Sequence, residues 1–165
     1  MLDCFVNRIT DKSVDSLYKQ SLYKHGIAEN HDNISYGSSI PLEYNIVLLN
    51  GVSFSKGCYL GQELIAKTHH TGVIRKRIVP IEFSDETNNI QFKADSNILN
   101  VHSGKSAGKL KGISGKFGIA MLRISELVEN GLVILDDENK PHPIKYKIPQ
   151  YWNQDVKLMQ SLLKN

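Results

Sequence analysis

The sequence predicts an α+β protein that is mainly antiparallel β-sheet, with a small β-barrel in its C-terminal part. Up to about residue 73 the chain offers one long amphipathic pattern and polar loops. After that point, short apolar segments are separated by Gly, Asn, Asp and Pro. Several strands at this spacing favour a small barrel or sandwich. We therefore predict two parts, residues 1–74 and a barrel-like domain over residues 75–165 with a terminal helix.

The first predicted element is an amphipathic helix over residues 11–30. Asp11 or Ser13 can cap its start, and Gly26 is a typical stop signal. Apolar residues recur at helical spacing and indicate the face that the helix would bury. They are Val14, Leu17, Tyr18, Leu22 and Ile27.

The connection to the barrel is predicted to hold a loop, a short extended segment and a second helix. Residues 31–39 are polar and turn-rich, and Pro41 favours an extended entry to the apolar residues 45–50. A short helix then starts near Tyr59 or Gly61. One helix and one or two strands bury little core alone. Residues 1–74 therefore either pack on the barrel or are the end of a larger domain.

The barrel is predicted from strand-like segments bounded by turn residues. Residues 104–116 contain glycines and lysines but lack GxxxxGK[ST], so they predict a β-hairpin and not a phosphate loop. Residues 151–165 have apolar residues at helical spacing and predict a final helix. The strand-like segments are residues 75–84, 89–104, 105–116, 117–126, 130–140 and 141–148.

Composition excludes several classes of function. The net charge of +3 is mildly basic and lacks the dense stripe of a nucleic-acid module. No run of about 18 apolar residues could span a membrane, and the first residues lack a signal peptide's apolar centre. Two cysteines, Cys4 and Cys58, cannot build a disulfide framework and fit a reducing compartment.

Cys58 is the first candidate functional residue. A nearby cation such as Lys56 and the start of a helix both favour a thiolate, and Gly57 and Gly61 leave the backbone around it open. The alternative is a small apolar residue in a turn. An internal zinc site lacks ligand pairs at the usual spacing, and no local signature supports Cys-His-Asp hydrolysis. A single thiolate can instead supply one ligand to a metal shared with another protein.

The neighbouring polar residues have simple interpretations beside functional ones. His69 and His70 are adjacent, so their side chains point apart and rarely chelate together. Glu63, with Gln62, suits the first turn of a helix. Residues 75–77 are most simply a solvated basic strand start, with an anion site for phosphate or a polyglutamate tail as the second interpretation.

A specific resemblance rests on residues 56–63. KGCYLGQE matches the K-G-C-Y-x-G-Q-E signature of the YgfZ family, which are folate-binding proteins related to the aminomethyltransferase of the glycine cleavage system. Residues 66–77 are similar to the A-R-T-H-H-x-G-x-I-R-K-R segment of the mitochondrial branch, although Lys67 stands where Arg is usual. Further similar segments are residues 22–29, 40–45, 52–54 and 106–123.

The resemblance implies a domain organisation and a location. Residues 1–74 would be the last piece of a folate-binding, aminomethyltransferase-like domain, followed by the family's C-terminal barrel. Family members are roughly twice this length or more, so Met1 would be either a truncation or the start of a gene fragment. The expected compartment is the mitochondrial matrix.

The resemblance also implies a function, the assembly of iron–sulfur clusters. The chain would help mature [4Fe–4S] proteins together with an A-type carrier, and Cys58 would be a ligand of a [2Fe–2S] cluster shared with that carrier. Lys56, Arg75 or Arg77 would favour the thiolate or meet the cluster's negative charge. The residues expected to shape the loop and the partner surface are Gly57, Tyr59, Gly61, Gln62 and Glu63, with His69 and His70 as further contacts.

Two other hypotheses stay open. In a folate-dependent one-carbon transferase, Glu43 would contact the pterin of tetrahydrofolate, and Arg75 and Arg77 would hold the folate tail. No general base is evident in this chain, so we expect no enzyme. In a plain interaction module, the barrel would dock a partner and Cys58 would be inert.

Overall fold

A computed structural model describes residues 12–72, 74–84, 90, 92–93, 95–127 and 131–154. The helices are α1 (Lys12–Lys24), α2 (Asn30–Asn33) and α3 (Gln62–Thr71), with 3₁₀ helices at Ile124–Glu126 and Gln150–Gln154. The strands are β1 (Lys76–Phe83), β2 (Asn97–Asn100), β3 (Ser106–Ser114), β4 (Phe117–Arg123), β5 (Leu132–Leu135) and β6 (Pro141–Tyr146). The predicted Asp11 cap, and the predicted terminal helix beyond residue 154, lie outside the described residues.

The strands form a closed antiparallel barrel in the order β1-β4-β3-β2-β5-β6. β1 closes it, because it pairs with β4 on one side and with β6 on the other, as in Val79 opposite Ala120 and Ile81 opposite Tyr146. The predicted small antiparallel barrel is therefore confirmed. Within the described part of the chain, no helix is both long and apolar enough to cross a membrane.

The hydrophobic core has two parts, one inside the barrel and a smaller one on the outer side of β1. Inward-facing aliphatic residues from all six strands form the main cluster, and Trp152 joins it with 0% of its surface exposed. On the outer side of β1, Ile78 packs with Met121 and Tyr44. Tyr44 covers Ile78 on this outer side, so part of the segment before the barrel packs directly on β1. The domain boundary at residue 75 stays a prediction.

Helix α1 ends at Lys24, just before the predicted stop signal Gly26 and short of the predicted end at residue 30, and it buries a different face. Gly26 follows it with a left-handed φ of 69°, which glycine adopts freely. Val14, Leu17 and Tyr18, predicted to be buried, are 55%, 66% and 50% exposed. The helix instead turns Ser16, Gln20 and Tyr23 toward the barrel. The prediction of the buried face is therefore wrong for these three residues, whereas Leu22 and Ile27 are half-buried.

Polar contacts decide which face of α1 meets the barrel. Ser16 Oγ lies 3.1 Å from Ser114 Oγ. The Asn33 amide donates to the Tyr23 hydroxyl at 3.2 Å and to the Lys111 carbonyl at 2.9 Å. A Cβ on Gly112 would lie 2.6 Å from the Tyr23 hydroxyl oxygen, so only glycine lets the helix approach this closely.

Residues 41–50 form successive turns instead of the predicted extended segment. Asn45 and Asn50 adopt left-handed φ values of 62° and 58°, which asparagine tolerates better than most residues. The buried Asn45 amide donates to the Ile78 carbonyl at 2.8 Å, and the Ile78 amide donates to the Glu43 carbonyl at 2.8 Å. These bonds fasten the turns to β1, so this segment contributes no strand.

The predicted hairpin over residues 104–116 is a single strand, β3, followed by the turn into β4. Gly108 and Gly112 are not turn residues. A Cβ on Gly108 would collide with the Met121 carbonyl oxygen of the neighbouring strand. These glycines mark close backbone approach, a second meaning of glycine in a strand, while Gly115, with φ of 56°, makes the turn.

Candidate functional site

The motif KGCYLGQE spans an exposed loop and the first two residues of α3. Gly61 caps the helix with a left-handed φ of 83°, and α3 begins at Gln62, as the sequence predicted. Cys58 is a free, exposed cysteine three residues before this cap. A Cβ on Gly57 would contact nothing, so the approach to Cys58 from this side is open. The loop therefore presents the thiol to solvent at the start of a helix.

Three motif residues contact one another around Cys58. The Lys56 ammonium nitrogen lies 4.5 Å from the centre of the Tyr59 ring, within cation–π range. The Tyr59 amide donates to the Gln62 side-chain oxygen at 3.2 Å, and the Gln62 amide donates to the Tyr59 carbonyl at 3.2 Å. This reciprocal pair of hydrogen bonds closes the turn that directly follows Cys58 in the sequence and leads into α3. Glu63 is exposed in the first turn of α3, where the helix dipole favours a carboxylate.

The far end of α3 returns to the same loop through His69. The His69 ring stacks on Phe54 with centroids 3.7 Å apart and an angle of 15° between the planes. The His70 ring meets His69 edge-on, with centroids 5.5 Å apart. Both histidines are exposed, and Gly72 ends the helix with a φ of 73°. The stack ties the helix to the loop that carries Cys58.

Cys58 is the one thiol that this loop can offer to a metal. No group of three or more His, Cys, Asp and Glu side chains in the described ranges could hold a metal ion. An iron–sulfur cluster needs thiolate or histidine ligands on each iron. The described residues therefore offer no complete ligand set for a cluster at Cys58.

The residues predicted to bind an anion do not share one environment. Glu43 forms an ion pair with Lys76, with 3.2 Å between the ammonium nitrogen and the carboxylate. Arg75 is exposed, whereas Arg77 is only 3% exposed. The interpretation of residues 75–77 as a solvated strand start is therefore wrong for Arg77.

Arg77 is buried because it joins the turns to the barrel. Its guanidinium donates to the Asn45 side-chain oxygen at 3.2 Å and lies 5.7 Å from the centre of the Trp152 ring. Tyr151 completes this network, since its hydroxyl donates to the Gly26 carbonyl at 3.1 Å. Burial raises the pKa of Tyr151 above its ordinary value, so the phenol stays neutral.

The sequence did not single out the apolar residues around Cys58. Leu60 is fully exposed, and Leu64 and Phe54 are 55% and 38% exposed. Leu60 occupies the variable position of the signature, so the motif itself draws no attention to it. The exposure of a side chain depends on which distant residues pack against it, and a local sequence pattern does not contain that information.

The barrel places the chain in a class of protein. Residues 75–154 match the family model of the CAF17 C-terminal beta-barrel domain. The protein therefore belongs to the class of proteins that contain this C-terminal barrel. In this chain, a loop with an exposed cysteine precedes the barrel.

Curated relatives identify the family more narrowly. The chain is 38% identical over 135 residues to the mitochondrial iron-sulfur cluster assembly factor IBA57 of Mus musculus and to that of Homo sapiens. These matches cover 82% of this chain and 37% of each relative. The homologue from Neosartorya fischeri is 38% identical over 151 residues, covering 80% of this chain and 34% of that protein. The chain belongs to the YgfZ/CAF17-like family, and it spans little more than a third of the length of these relatives.

Proposed function

We propose that the protein assists iron–sulfur cluster assembly in the mitochondrial matrix, with Cys58 as one ligand of a [2Fe–2S] cluster shared with an A-type carrier. The observation that carries this proposal is the exposure of the Cys58 thiol in an open loop, where the described residues offer no complete set of metal ligands. The names of the relatives support it, since each is a mitochondrial iron-sulfur cluster assembly factor. The products would be mature [4Fe–4S] proteins.

Each motif residue has a role in this proposal. Lys56 supplies positive charge beside a cluster that carries negative charge. Tyr59, Gln62 and Gly61 hold the turn, while Gly57 leaves room for the carrier. The carrier would contact the exposed side chains at both ends of α3, which are Glu63, His69 and His70.

The test is anaerobic cluster reconstitution. This chain and an A-type carrier are mixed with iron and sulfide and then separated by size exclusion with visible absorbance. We expect a coloured heterocomplex with the natural sequence, and its loss with Cys58→Ser. Cys4→Ser is the matched control, because it changes the other cysteine, and it should keep the complex. A mixed cluster at undiminished yield in Cys58→Ser would contradict the proposal.

The folate-related origin of residues 1–74 is part of the proposal, whereas a transferase activity is not favoured. The family resemblance supports the origin. Glu43 already pairs with Lys76, and Arg77 is buried against Trp152, so neither side chain is available to tetrahydrofolate as it stands. Titration of this chain with tetrahydrofolate should give no saturable heat, and tight binding would revive the transferase hypothesis.

A further inference from the structure

A small cleft lies on the barrel surface where the end of α1 meets β1, β4 and β6, and its lining includes no residue of the loop that carries Cys58. Its volume is about 80 Å³. We call its apolar and aromatic lining residues, Pro80, Ile81, Phe117 and Tyr146, the floor, and its charged lining residues, Lys24, Glu82, Lys145 and Lys147, the rim.

The rim carries more positive than negative charge. Lys24 and Lys116 approach the Phe117 ring, with ammonium nitrogens 5.9 and 5.3 Å from its centre. Glu82 is the carboxylate of the lining, and it pairs with Lys116 at 3.1 Å. In the part of the chain that the structure describes, no carboxylate forms an ion pair with the rim lysines, Lys24, Lys145 and Lys147.

The cleft is held rigidly by barrel closure. Glu82 stands opposite Lys145 where β1 pairs with β6, and the Lys147 amide donates to the Pro80 carbonyl at 3.0 Å. The turn after α1 packs tightly here, since a Cβ on Gly26 would lie 2.8 Å from Pro80 Cδ. A preformed site of this kind loses little entropy when a ligand binds.

Size and charge together select the class of ligand. Pockets for drug-sized molecules span roughly 300–1,000 Å³, so this cleft fits one side chain and not a whole cofactor. Closure of the barrel removes free strand edges, so recognition by added β-strand pairing is not available. Binding of single-stranded nucleic acid uses successive stacked bases, whereas a cleft of about 80 Å³ has no room for successive bases, although Phe117 and Tyr146 both line it.

We propose that this cleft docks an acidic segment of a partner protein, with one aromatic or branched aliphatic side chain in the cleft and its carboxylates on Lys24, Lys145 and Lys147. The carboxylates of the partner match the charge of the rim lysines, and the single side chain matches the size of the cleft. The inference concerns the barrel and the end of α1, and it does not depend on a cluster at Cys58.

The test is fluorescence anisotropy with the full chain and a labelled synthetic peptide in which Asp and Glu flank a single Phe. The test variant is Lys145→Glu with Lys147→Glu. The matched control is Lys105→Glu with Lys109→Glu, which makes the same charge change on exposed lysines of the same barrel. We expect the test variant to weaken binding by about tenfold or more, because each reversal removes an attraction and adds a repulsion. The control variant should weaken binding by about threefold or less.

Two further probes separate the alternatives. Replacing Phe by Ser in the peptide should weaken binding, because the cleft would then be empty. Equal weakening by the test and control variants would show that only net charge matters, and would overturn the proposal. The second probe is a single-stranded oligonucleotide of the same charge as the peptide. The proposal would also be overturned if this oligonucleotide bound more tightly than the peptide and if the test variant lost that tighter binding.

Discussion

At the scale of single residues, the most instructive pair is Arg75 and Arg77. Both were candidates for an anion site, and they stand two positions apart on the same strand start. Arg75 is exposed, whereas Arg77 is 3% exposed and donates to the Asn45 side chain. Asn45 in turn donates to the backbone of β1 through Ile78. A buried cation of this kind serves to hold the turns of residues 41–50 on the barrel.

The first prediction is that Arg77→Met destabilises the protein and Arg75→Met does not. Loss of the guanidinium leaves the buried Asn45 oxygen without this donor, which costs about 1–3 kcal/mol. A surface change such as Arg75→Met costs about 0.5 kcal/mol or less. Urea unfolding followed by circular dichroism measures both free energies. Equal stabilities of the two variants would contradict the structural role of Arg77.

At the same scale, the environment of Cys58 differs from that of a packed cysteine. The thiol is exposed, its neighbour Gly57 has open space, and the cation of Lys56 lies over Tyr59. Removal of Cys58 therefore creates no cavity. We expect Cys58→Ser to keep the free energy of unfolding within about 0.5 kcal/mol. This makes the loss of a shared cluster interpretable as the loss of a ligand. A large destabilisation would show that the thiol is part of the packing.

At the scale of elements, α1 shows that an apolar stripe need not be the buried face. Leu17 and Tyr18 face solvent, and the Tyr18 hydroxyl donates to the Glu29 carboxylate at 2.9 Å. That bond raises the pKa of Tyr18 above its ordinary value. The face against the barrel uses Tyr23 and small polar residues, because Gly112 permits a close approach. The helix is thus attached by hydrogen bonds and one buried ring.

The second prediction concerns the two faces of α1. Tyr23→Ala removes the buried ring and leaves the Asn33 amide without its hydroxyl partner, so it should destabilise by about 3–5 kcal/mol. Leu17→Ala should change the free energy of unfolding by about 0.5 kcal/mol or less. Both are measured by urea unfolding. If Leu17→Ala proved the more damaging, the orientation of α1 on the barrel would be wrong.

The β5–β6 hairpin contains an ion pair that depends on pH. Asp136 Oδ2 lies 2.7 Å from His142 Nε2, and Asp136 Oδ1 accepts from the Lys140 and Glu138 amides at 2.8 and 2.9 Å. The bond with His142 and the bond from Lys140 hold the pKa of Asp136 below its ordinary value of 3.8. A carboxyl with a lowered folded pKa stabilises the fold while it is ionised. This stabilisation is present above pH 3.8 and is lost as pH falls through the lowered pKa.

The third prediction is therefore a loss of stability in acid that depends on Asp136. The free energy of unfolding should fall as the pH drops below 3.8 and through the lowered pKa of Asp136, and Asp136→Asn should reduce this fall, because the amide does not titrate. Asp137→Asn is the matched control, since Asp137 is its exposed neighbour, and it should keep the full fall. An identical fall in Asp136→Asn and the natural sequence would assign the acid sensitivity to other carboxyls.

At the scale of the whole molecule, the barrel depends on a residue that follows its last strand. Trp152 lies in the 3₁₀ helix Gln150–Gln154, is 0% exposed, and joins the main core. It also lies against Arg77, so the chain after β6 contacts the start of β1. Core, turns and final 3₁₀ helix therefore meet at one end of β1.

The fourth prediction is that Trp152→Ala destabilises the whole barrel. Removal of a buried aromatic side chain costs about 3–5 kcal/mol, including the cavity it leaves. Trp152→Phe should cost less, because an aromatic ring still fills most of the space. The midpoint of thermal unfolding, followed by far-ultraviolet circular dichroism, checks both. A midpoint for Trp152→Ala equal to that of the natural sequence would exclude this role.

The sequence by itself determined the features that depend on local chemistry. Turn residues bounded the strand-like segments, so a small antiparallel barrel was predictable, and Gly26 and Gly61 marked one end of α1 and the start of α3. The motif around Cys58 could also be recognised from the sequence, because its residue types and spacing identify a family. Each of these signals is carried by a few consecutive residues.

Only the tertiary structure decided what is buried. Four features differ from what the local sequence predicts or were not predicted at all. They are the exposed apolar stripe of α1, the buried Arg77, the turns at residues 41–50 and the exposed Leu60. Periodicity shows that residues share a face of an element but not which neighbour covers that face. That neighbour is brought by distant parts of the chain, as Gly112 is brought to Tyr23 and Trp152 to Arg77. Burial is therefore set by long-range packing, which no short stretch of sequence contains.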